Sequence, residues 1–413
     1  MSLNQEQLFT MALGLEKPWY VNGIEFDPDE GRIDLYLDFK RGSKFGCPGC
    51  GKETPVYDAE EHTWRHMNFF QYKAYLHARQ PRTNCPDCGV LTVNVPWARP
   101  KSDFTLLFEA LTLTLAHQMP VLAIAKLMGE HDTRLWRILK AYVDKTRAEA
   151  DFSNVTDVGV DETSCRKGHH YITLFVDVKE SKVLFATEGK DKETVSRFHQ
   201  DLTQHQGDPD QIENFCSDLS PAFISGVTEH FPNADLTFDK FHIVKIVNEA
   251  VDEVRRCETK DNPWLKGTRY LWLKNPGNLS IKQRNKLDSL KDLHSKTSRA
   301  YAIKLSFQGL FEQPDINTAQ VYLKKWYWWA SHSRLEPVTK SAKTVKTHWN
   351  GILNWFNSRM NNGVLEGINS LIQAAKAKAR GYRTITNLVT MCYIIAGKLD
   401  FGATYYGMYV CPQ

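Results

Sequence analysis

Apolar and polar positions divide the chain into four sections. Up to about residue 100, runs such as RIDLYLDF and YKAYLHAR alternate at a period of two, which predicts short strands separated by turns. From 104 to 148 the apolar spacing is helical, with Pro120 the only proline. From about 155 to 240 the period switches back and forth: VTDVGVDE, HYITLFVDV and KVLFATEG read as strands, Lys192 to about Gln204 as a helix, IENFCSD as a strand, Pro221 to His230 as a helix and ADLTFD as a strand. About a hundred helix-like residues without strand signals follow, and a last helical section runs from about 345 to 399.

The mixed section has a topology implied by its connections. Only a few polar residues separate its first three strands, which predicts an antiparallel meander. Three such strands, a helix and then a strand beside the first is the order of a ribonuclease H-like fold. That order brings together the ends of the first and fourth strands, and with them Asp161 of VGVDETS and Asp218 of CSDLS. Ser220 and Pro221 then read as a helix N-cap and a first-turn proline.

The chain has 413 residues, 42% of them hydrophobic and 12% aromatic, enough for two or three domains with real cores. No apolar run approaches a bilayer span, and the start MSLNQEQLF lacks the basic and then apolar run of a secretory signal, so a soluble, intracellular protein is expected. The net charge of +4 hides an uneven distribution: residues 240 to 304 carry 15 Lys/Arg against 7 Asp/Glu, and residues 324 to 383 carry 11 against 2. Such a basic C-terminal half suits a polyanion, although a solvated lysine-rich helix surface has the same composition.

Four of the nine cysteines fall in two matched knuckles, CPGC (Cys47, Cys50) and CPDC (Cys85, Cys88), each followed by glycine and separated by 34 residues. Two CxxC knuckles aim four thiolates at one ion, which predicts a closed tetrahedral structural zinc site with no open position for chemistry. The stretch from Val121 to Arg147 reads as a short helix, a turn at Gly129 and a second helix from Asp132 that carries Arg134, Arg137 and Lys140 near one face. This is the shape of a helix-turn-helix, whose second helix enters a DNA groove, and equally of an ordinary helical hairpin.

Neighbouring carboxylates repel unless a cation lies between them, and oxygen ligands favour Mg2+ or Mn2+. A third carboxylate beside Asp161 and Asp218 would complete a two-metal site. Between Glu336 and Asp400 the only acidic residue is Glu366, in NNGVLEGINSLIQAAKAKARGYR, while nine Lys/Arg share that stretch, among them Lys376, Lys378, Arg380 and Arg383 as candidate DNA contacts. Leu365, Ile368, Ile372 and Ala375 form an apolar stripe beside Glu366, whose simpler role is that of a first-turn acid favoured by the helix dipole. Asp239, in TFDKFHIV, ends a fifth strand and is a rival carboxylate for the site, with capping of the helix after it the simpler role. Glu162 points to the strand face opposite Asp161 and is taken as structural.

Together, the cysteine pairs, the helix-turn-helix, VDETS, SDLSPAF, FDKFHIVK, NNGVLEGINSLI and KARGYR resemble bacterial insertion-sequence transposases of the DDE class, ISL-three type, over nearly the whole length. The resemblance implies an Asp-Asp-Glu triad at Asp161, Asp218 and Glu366 holding two Mg2+ or Mn2+ ions. It also implies a helical insertion that accounts for the 148-residue gap between Asp218 and Glu366. The activity implied is metal-dependent cleavage at the element's terminal inverted repeats, then strand transfer into target DNA. A homodimer holding two ends, in the bacterial cytoplasm and at the nucleoid, goes with it.

The expected architecture is multidomain α/β: a zinc-binding domain over 1–100, a helix-turn-helix over 101–150, and a ribonuclease H-like domain over 151–244 and 346–413 interrupted by a helical insertion over 245–345. Trp264, Trp272, Trp326, Trp328 and Trp329 fall in that insertion, where core packing is expected and base stacking is the alternative. The competing functional readings are an inactive or regulatory DNA-binding relative and another ribonuclease H-like nuclease. All three carboxylates are present, which argues for an enzyme, and the zinc and helix-turn-helix front end argues against a structure-selective nuclease.

Overall fold

The computed structural model describes residues 3–166, 170–291, 293, 295–360 and 362–401, so the end of the last expected segment, from 402, lies outside the described residues. The chain divides into two compact units. One takes in the chain up to Arg147, the segment Ala375–Arg380 and the end from Leu399; the other takes in Ala148–Ala374 and Gly381–Lys398.

The first unit opens with a helix the sequence pattern did not announce, α1 (Gln5–Ala12). A reciprocal capping box starts it, in which Asn4 Oδ1 accepts from the Gln7 N–H at 2.7 Å and the Gln7 side chain accepts from the Asn4 N–H. A sheet follows, built from β1 (Trp19–Asp27), β2 (Arg32–Phe39), β3 (Lys44–Gly46), β4 (Glu53–Arg65), β5 (Lys73–Cys85) and β6 (Gly89–Thr92). Its order is β1-β2-β5-β4-β3, with β6 on β5. β4 and β5 each run 13 residues, longer than the short strands expected, because they pair antiparallel from Val56 to Arg65 across a single bulge. Ala74, Leu76 and Ala78 alternate into a core where Trp97 meets Trp19 and Trp64 edge to face at 4.7 and 5.4 Å.

Three helices complete this unit: α2 (Leu106–Ala116), α3 (Val121–Met128) and α4 (Asp132–Ala148). Pro120 sits at the N-cap of α3, and Gly129 ends it at φ +64°, the left-handed conformation glycine adopts without strain. The buried Arg65 donates to the Met128 carbonyl at 3.1 Å and pairs with Glu130 at 3.4 Å, which fixes the α3–α4 turn onto β4.

The second unit contains a five-stranded sheet, order β11-β10-β7-β8-β9, from β7 (Asp157–Arg166), β8 (His170–Asp177), β9 (Lys182–Glu188), β10 (Asn214–Ser217) and β11 (Asp235–Phe238). β7, β8 and β9 are antiparallel neighbours, while β10 lies parallel beside β7 and β11 parallel beside β10. For β7 to β10 this is the strand order expected from the connections, and β11 adds to it beyond β10. The intervening helices α5 (Lys192–Gln204) and α6 (Pro221–His230) have the expected bounds. They cover one face: Val158, Val160, Phe175 and Phe215 pack there with Val195, Phe198, Phe223 and Val227, and Phe175 stacks on Phe198 at 4.3 Å.

The region after β11 is helical: α7 (Lys240–Glu258), α8 (Arg269–Leu273), α9 (Ile281–Lys291), α10 (Lys296–Gln308), α11 (Ile316–Ser331), α12 (Glu336–Thr347) and α13 (Trp349–Ser358). Of the five tryptophans in 245–345, two follow the packing expectation. Trp272 and Trp326 are buried, their indole N–H groups donating to Thr268 Oγ1 and the Ile303 carbonyl, whereas Trp264, Trp328 and Trp329 are exposed. Inside this core Lys304 is fully buried, its ammonium on the carbonyls of Trp272 and Leu273 at 3.0 and 2.8 Å. It ends α8 much as a cation stabilises any helix C-terminus.

The chain then returns to the sheet. α13 packs on β11, α14 (Gly363–Lys378) on β7, and α15 (Ile385–Ala396) on β9, where the Tyr393 hydroxyl accepts from the Ala186 N–H at 2.9 Å.

Candidate active site

The register of the parallel strands assembles the acidic residues. Gly159, Cys216 and Thr237 are paired neighbours across β7, β10 and β11. Two residues further along each chain stand Asp161, Asp218 and Asp239, so the three aspartates follow the last paired positions at the carboxyl edge of the sheet. Binding sites of open α/β sheets form outside such edges. Asp161 is not at the end of its strand, as the sequence suggested. β7 continues to Arg166 on β8, and only the pairing with β10 stops at Gly159, because β10 turns away into Asp218.

Residue parity decides what covers this edge. Gly159 shares a face with Asp161, and a Cβ built on Gly159 would lie 2.5 Å from Leu365 Cδ1. The glycine is therefore needed for α14 to seat directly on β7. Further along α14, Asn369 Nδ2 donates to Asp161 Oδ2 at 2.7 Å, and Gln373 Nε2 donates to Thr163 Oγ1 at 2.6 Å. Leu365, Ile368 and Ile372 are buried as predicted, with Ala375 half-buried.

Glu366 lies in the first turn of α14, one turn before Asn369 and on the same side of the helix, and it is exposed. Among the described residues, the four cysteines are the only group of three or more His, Cys, Asp or Glu donors whose ligand atoms all lie within 4.8 Å of one another. Glu366 thus stands near the aspartates without closing on them.

Burial pushes the Asp161 carboxyl up to about 6; the Glu162 N–H, donating to Oδ1 at 2.8 Å, opposes this, and the Asp218 charge adds to it. Asp218 accepts from the Ser220 N–H at 2.9 Å; Ser220 is the N-cap of α6 with Pro221 after it, but its hydroxyl makes no cap bond. Glu162 is also raised, by burial and by Asp218, against the pull of Lys190.

Asp239 occupies the N-cap position of α7, yet its carboxylate makes no cap bond. It is buried at 3% exposure and pairs instead with His242 Nδ1 at 2.8 Å. That bond, with the Asp218 and Asp161 charges, holds the imidazole above its ordinary range. Cys216 is buried among the same groups and donates to Asn362 Oδ1 at 3.2 Å; burial, then Asp239 and Asp161, raise its thiol.

In the first unit, Cys47, Cys50, Cys85 and Cys88 converge, with Cys50 and Cys85 sulfurs 3.5 Å apart. That is far beyond a disulfide and near the spacing of about 3.8 Å that sulfurs take around a tetrahedral zinc. Gly51 and Gly89, the residues after each knuckle, have φ of +76° and +77°. The Gly49 N–H donates to Cys47 Sγ at 3.4 Å and draws that thiol down to about 7.

On α4 the three expected cations do not share one environment. Arg134 is half-buried and already paired, Nη1 on Glu130 at 2.7 Å and its guanidinium 4.3 Å from the Phe104 ring centre. Arg137 and Lys140 lie on an exposed stripe with Thr133, Lys140 meeting Asp144 at 2.8 Å. Lys376 is half-buried and Lys378, Arg380 and Arg383 are exposed. The Lys378 ammonium reaches the Gln118 carbonyl at 2.5 Å, and the Arg383 carbonyl accepts from Arg166.

A transposase family model, of the DDE class and ISL3 type, matches residues 158–392, more than half of the chain. The chain belongs to the ISL3 family of transposases. The helix-turn-helix domain of that family matches residues 93–143, and the zinc finger of insertion-sequence transposases matches 43–88. Similar proteins include the transposase for insertion sequence element IS1557 of Mycobacterium tuberculosis, 27% identical over 94% of this chain and 95% of its own length. The transposase for insertion sequence element IS1001 of Bordetella parapertussis is 27% identical over 90% of this chain and 94% of its own.

In this ISL3-family transposase the cysteine cluster is that of a zinc ribbon, and the helix-turn-helix domain takes in α2, α3 and most of α4. No helix among the described residues is long and apolar enough to cross a membrane. Sequence reasoning missed His242, Asn362 and Asn369. FDKFHIV held a signal for the first, an acid three residues before a histidine at a helix start, which a capping role for Asp239 concealed.

Proposed function

We propose that this transposase binds the terminal inverted repeats of an insertion sequence and catalyses metal-dependent strand cleavage and strand transfer with Asp161, Asp218 and Glu366. The observation that carries the reading is the placing of Asp161 and Asp218 each two residues beyond the paired Gly159 and Cys216, with Asp161 hydrogen-bonded to α14, the helix that carries Glu366 one turn before Asn369. The donor set fits hard divalent cations: oxygen ligands only, and a carboxyl whose proton affinity is raised by burial and by its neighbour's charge. Two Mg2+ or Mn2+ ions held by these three residues supply activation of the attacking oxygen and stabilisation of the leaving one.

The chain's own residues orient that centre. Asn369 fixes one oxygen of Asp161, the Glu162 N–H fixes the other, and the Ser220 N–H fixes Asp218. Water attacks the phosphodiester at the transposon end, and the freed 3′-hydroxyl then attacks target DNA, with no covalent protein–DNA intermediate. The strand order, with β10 parallel beside an antiparallel meander, supports a ribonuclease H-like domain from 151–244 and 346–413, with the helices of 245–345 as an insertion.

The zinc ribbon, holding one structural zinc, and the helix-turn-helix read the terminal repeats, with Arg137 and Lys140 on the exposed stripe of α4. Lys376, Lys378, Arg380 and Arg383 attract DNA backbone. Two ends are paired by a homodimer in the bacterial cytoplasm. The test is joining of an oligonucleotide duplex carrying the element's end to a plasmid in Mg2+. The wild type is expected to give joined product and Asp161→Asn none; equal product from both contradicts the assignment.

A further inference from the structure

We infer that Asp239 and His242 belong to this same site, Asp239 as a positioning residue and His242 as a direct contact that donates from Nε2 to a non-bridging oxygen of the scissile phosphodiester. The inference rests on the carboxylate reading given above and adds a group to it.

Three observations carry it. Asp239 is the third member of the row of strand ends, two residues beyond Thr237 as Asp218 is two beyond Cys216, so it belongs to the same edge. Its side chain is only 5% exposed and would be costly to bury as an unpaired charge, yet it does not serve the α7 N–H groups beside it. It accepts from His242 Nδ1, which fixes the ring's orientation and favours the imidazolium, the form in which Nε2 also carries a proton to donate.

The imidazole is 34% exposed, so the ring nitrogen that Asp239 leaves open can meet a ligand from solvent. It stands in the first turn of α7, bonded to the aspartate that ends the third strand of that edge. An open cavity of about 670 Å³, lined by Asp239, Lys240, Phe241, Asn362 and Glu366 among others, lies on the Asp239 side of the pair and has room for a nucleotide and its phosphate. Carboxylates repel a phosphodiester, and Asp239 supplies no donor. A cationic donor held among them is what a polyanionic substrate requires at that point.

The experiment is single-turnover cleavage of an oligonucleotide duplex bearing the element's own end, in Mg2+, with affinity for the same duplex and thermal melting measured in parallel. His242→Ala is expected to slow cleavage about 100-fold at saturating DNA, the scale of one lost transition-state donor, with DNA affinity and melting temperature unchanged. His242→Gln, which keeps an N–H near the Nε2 position, is expected to recover about a tenth or more of the wild-type rate, and Asp239→Asn to fall between the two.

Cleavage by His242→Ala within about twofold of wild type overturns the inference, as does His242→Gln no faster than His242→Ala. Asp161→Asn separates the two claims. If it is inactive while His242→Ala is unimpaired, the carboxylate site stands and this addition falls; if it cleaves like wild type, both fall.

Discussion

Asn369 Nδ2 lies 2.7 Å from Asp161 Oδ2, so the helix that carries Glu366 is hydrogen-bonded to the strand that carries the first aspartate. The bond fixes where α14 sits along β7, and Glu366 is one turn away on that helix. Asn369→Ala is expected to lower single-turnover cleavage about tenfold or more, while affinity for the element's end stays within about twofold, because the amide orients a carboxylate rather than contacting DNA. A loss of affinity with an unchanged cleavage rate would assign Asn369 to DNA binding instead.

Gly159 and Leu365 make a second link between the same two elements. A methyl at Gly159 would overlap Leu365 Cδ1 at 2.5 Å, so Gly159→Ala should cost about 1–3 kcal/mol and displace α14. Leu365→Ala alone should cost about 2–5 kcal/mol by leaving a cavity. The double variant should cost less than the sum of the two, since each change makes room for the other. Strict additivity in denaturant titrations would mean that the packing across β7 is looser than these distances require.

The cysteine cluster predicts about one zinc per chain by elemental analysis. Chelation, or Cys85→Ser, should unfold the knuckle region and abolish binding of the element's end, because metal binding there is part of the folding free energy. A metal-free protein with the same tryptophan fluorescence and DNA affinity would remove the structural role of the site.

Lys304 gives a pH signature. Burial lowers its folded-state constant from 10.5 to about 8, so between pH 8 and 10.5 the unfolded chain holds more protons on this group and stability rises with pH; below pH 8 the full cost of burying the ammonium is present. Lys304→Met removes that cost but leaves the carbonyls of Trp272 and Leu273 without their donor, for a net loss of about 1–3 kcal/mol at pH 7. The gap between wild type and variant should widen from pH 8 to pH 10 in chemical denaturation. A constant gap would place the ammonium in contact with solvent.

Elements with strong local punctuation were legible in the sequence. Ser220 and Pro221 at the start of α6 mark a helix start that the structure keeps, and the short connections between β7, β8 and β9 left little choice of pairing. The two CxxC-Gly knuckles likewise declared their convergence, since the glycines take the left-handed conformation that each tight turn needs.

What was not legible depends on partners distant in the chain. The pattern cannot show that β7 continues past Asp161 on one side only, or that Arg134 is diverted to Glu130 and Phe104. Trp326 and Trp328 stand on one amphipathic helix, and only the packing of α10 against α11 decides which is core. An aspartate before a helix reads as a cap, so the Asp239–His242 pair was hidden behind a commoner role.

The central claim is that Asp161 and its partners hold divalent cations, and counting bound Mn2+ by electron paramagnetic resonance on the complex with the element's end tests it directly. About two Mn2+ per chain are expected for the wild type. Because the Asp161 carboxyl keeps its proton up to about pH 6, affinity should fall roughly tenfold per pH unit below that point. Asp161→Asn should lose the bound Mn2+ together with strand transfer; an Asp161→Asn protein that binds Mn2+ as the wild type does, with the same stoichiometry and pH dependence, would contradict the account.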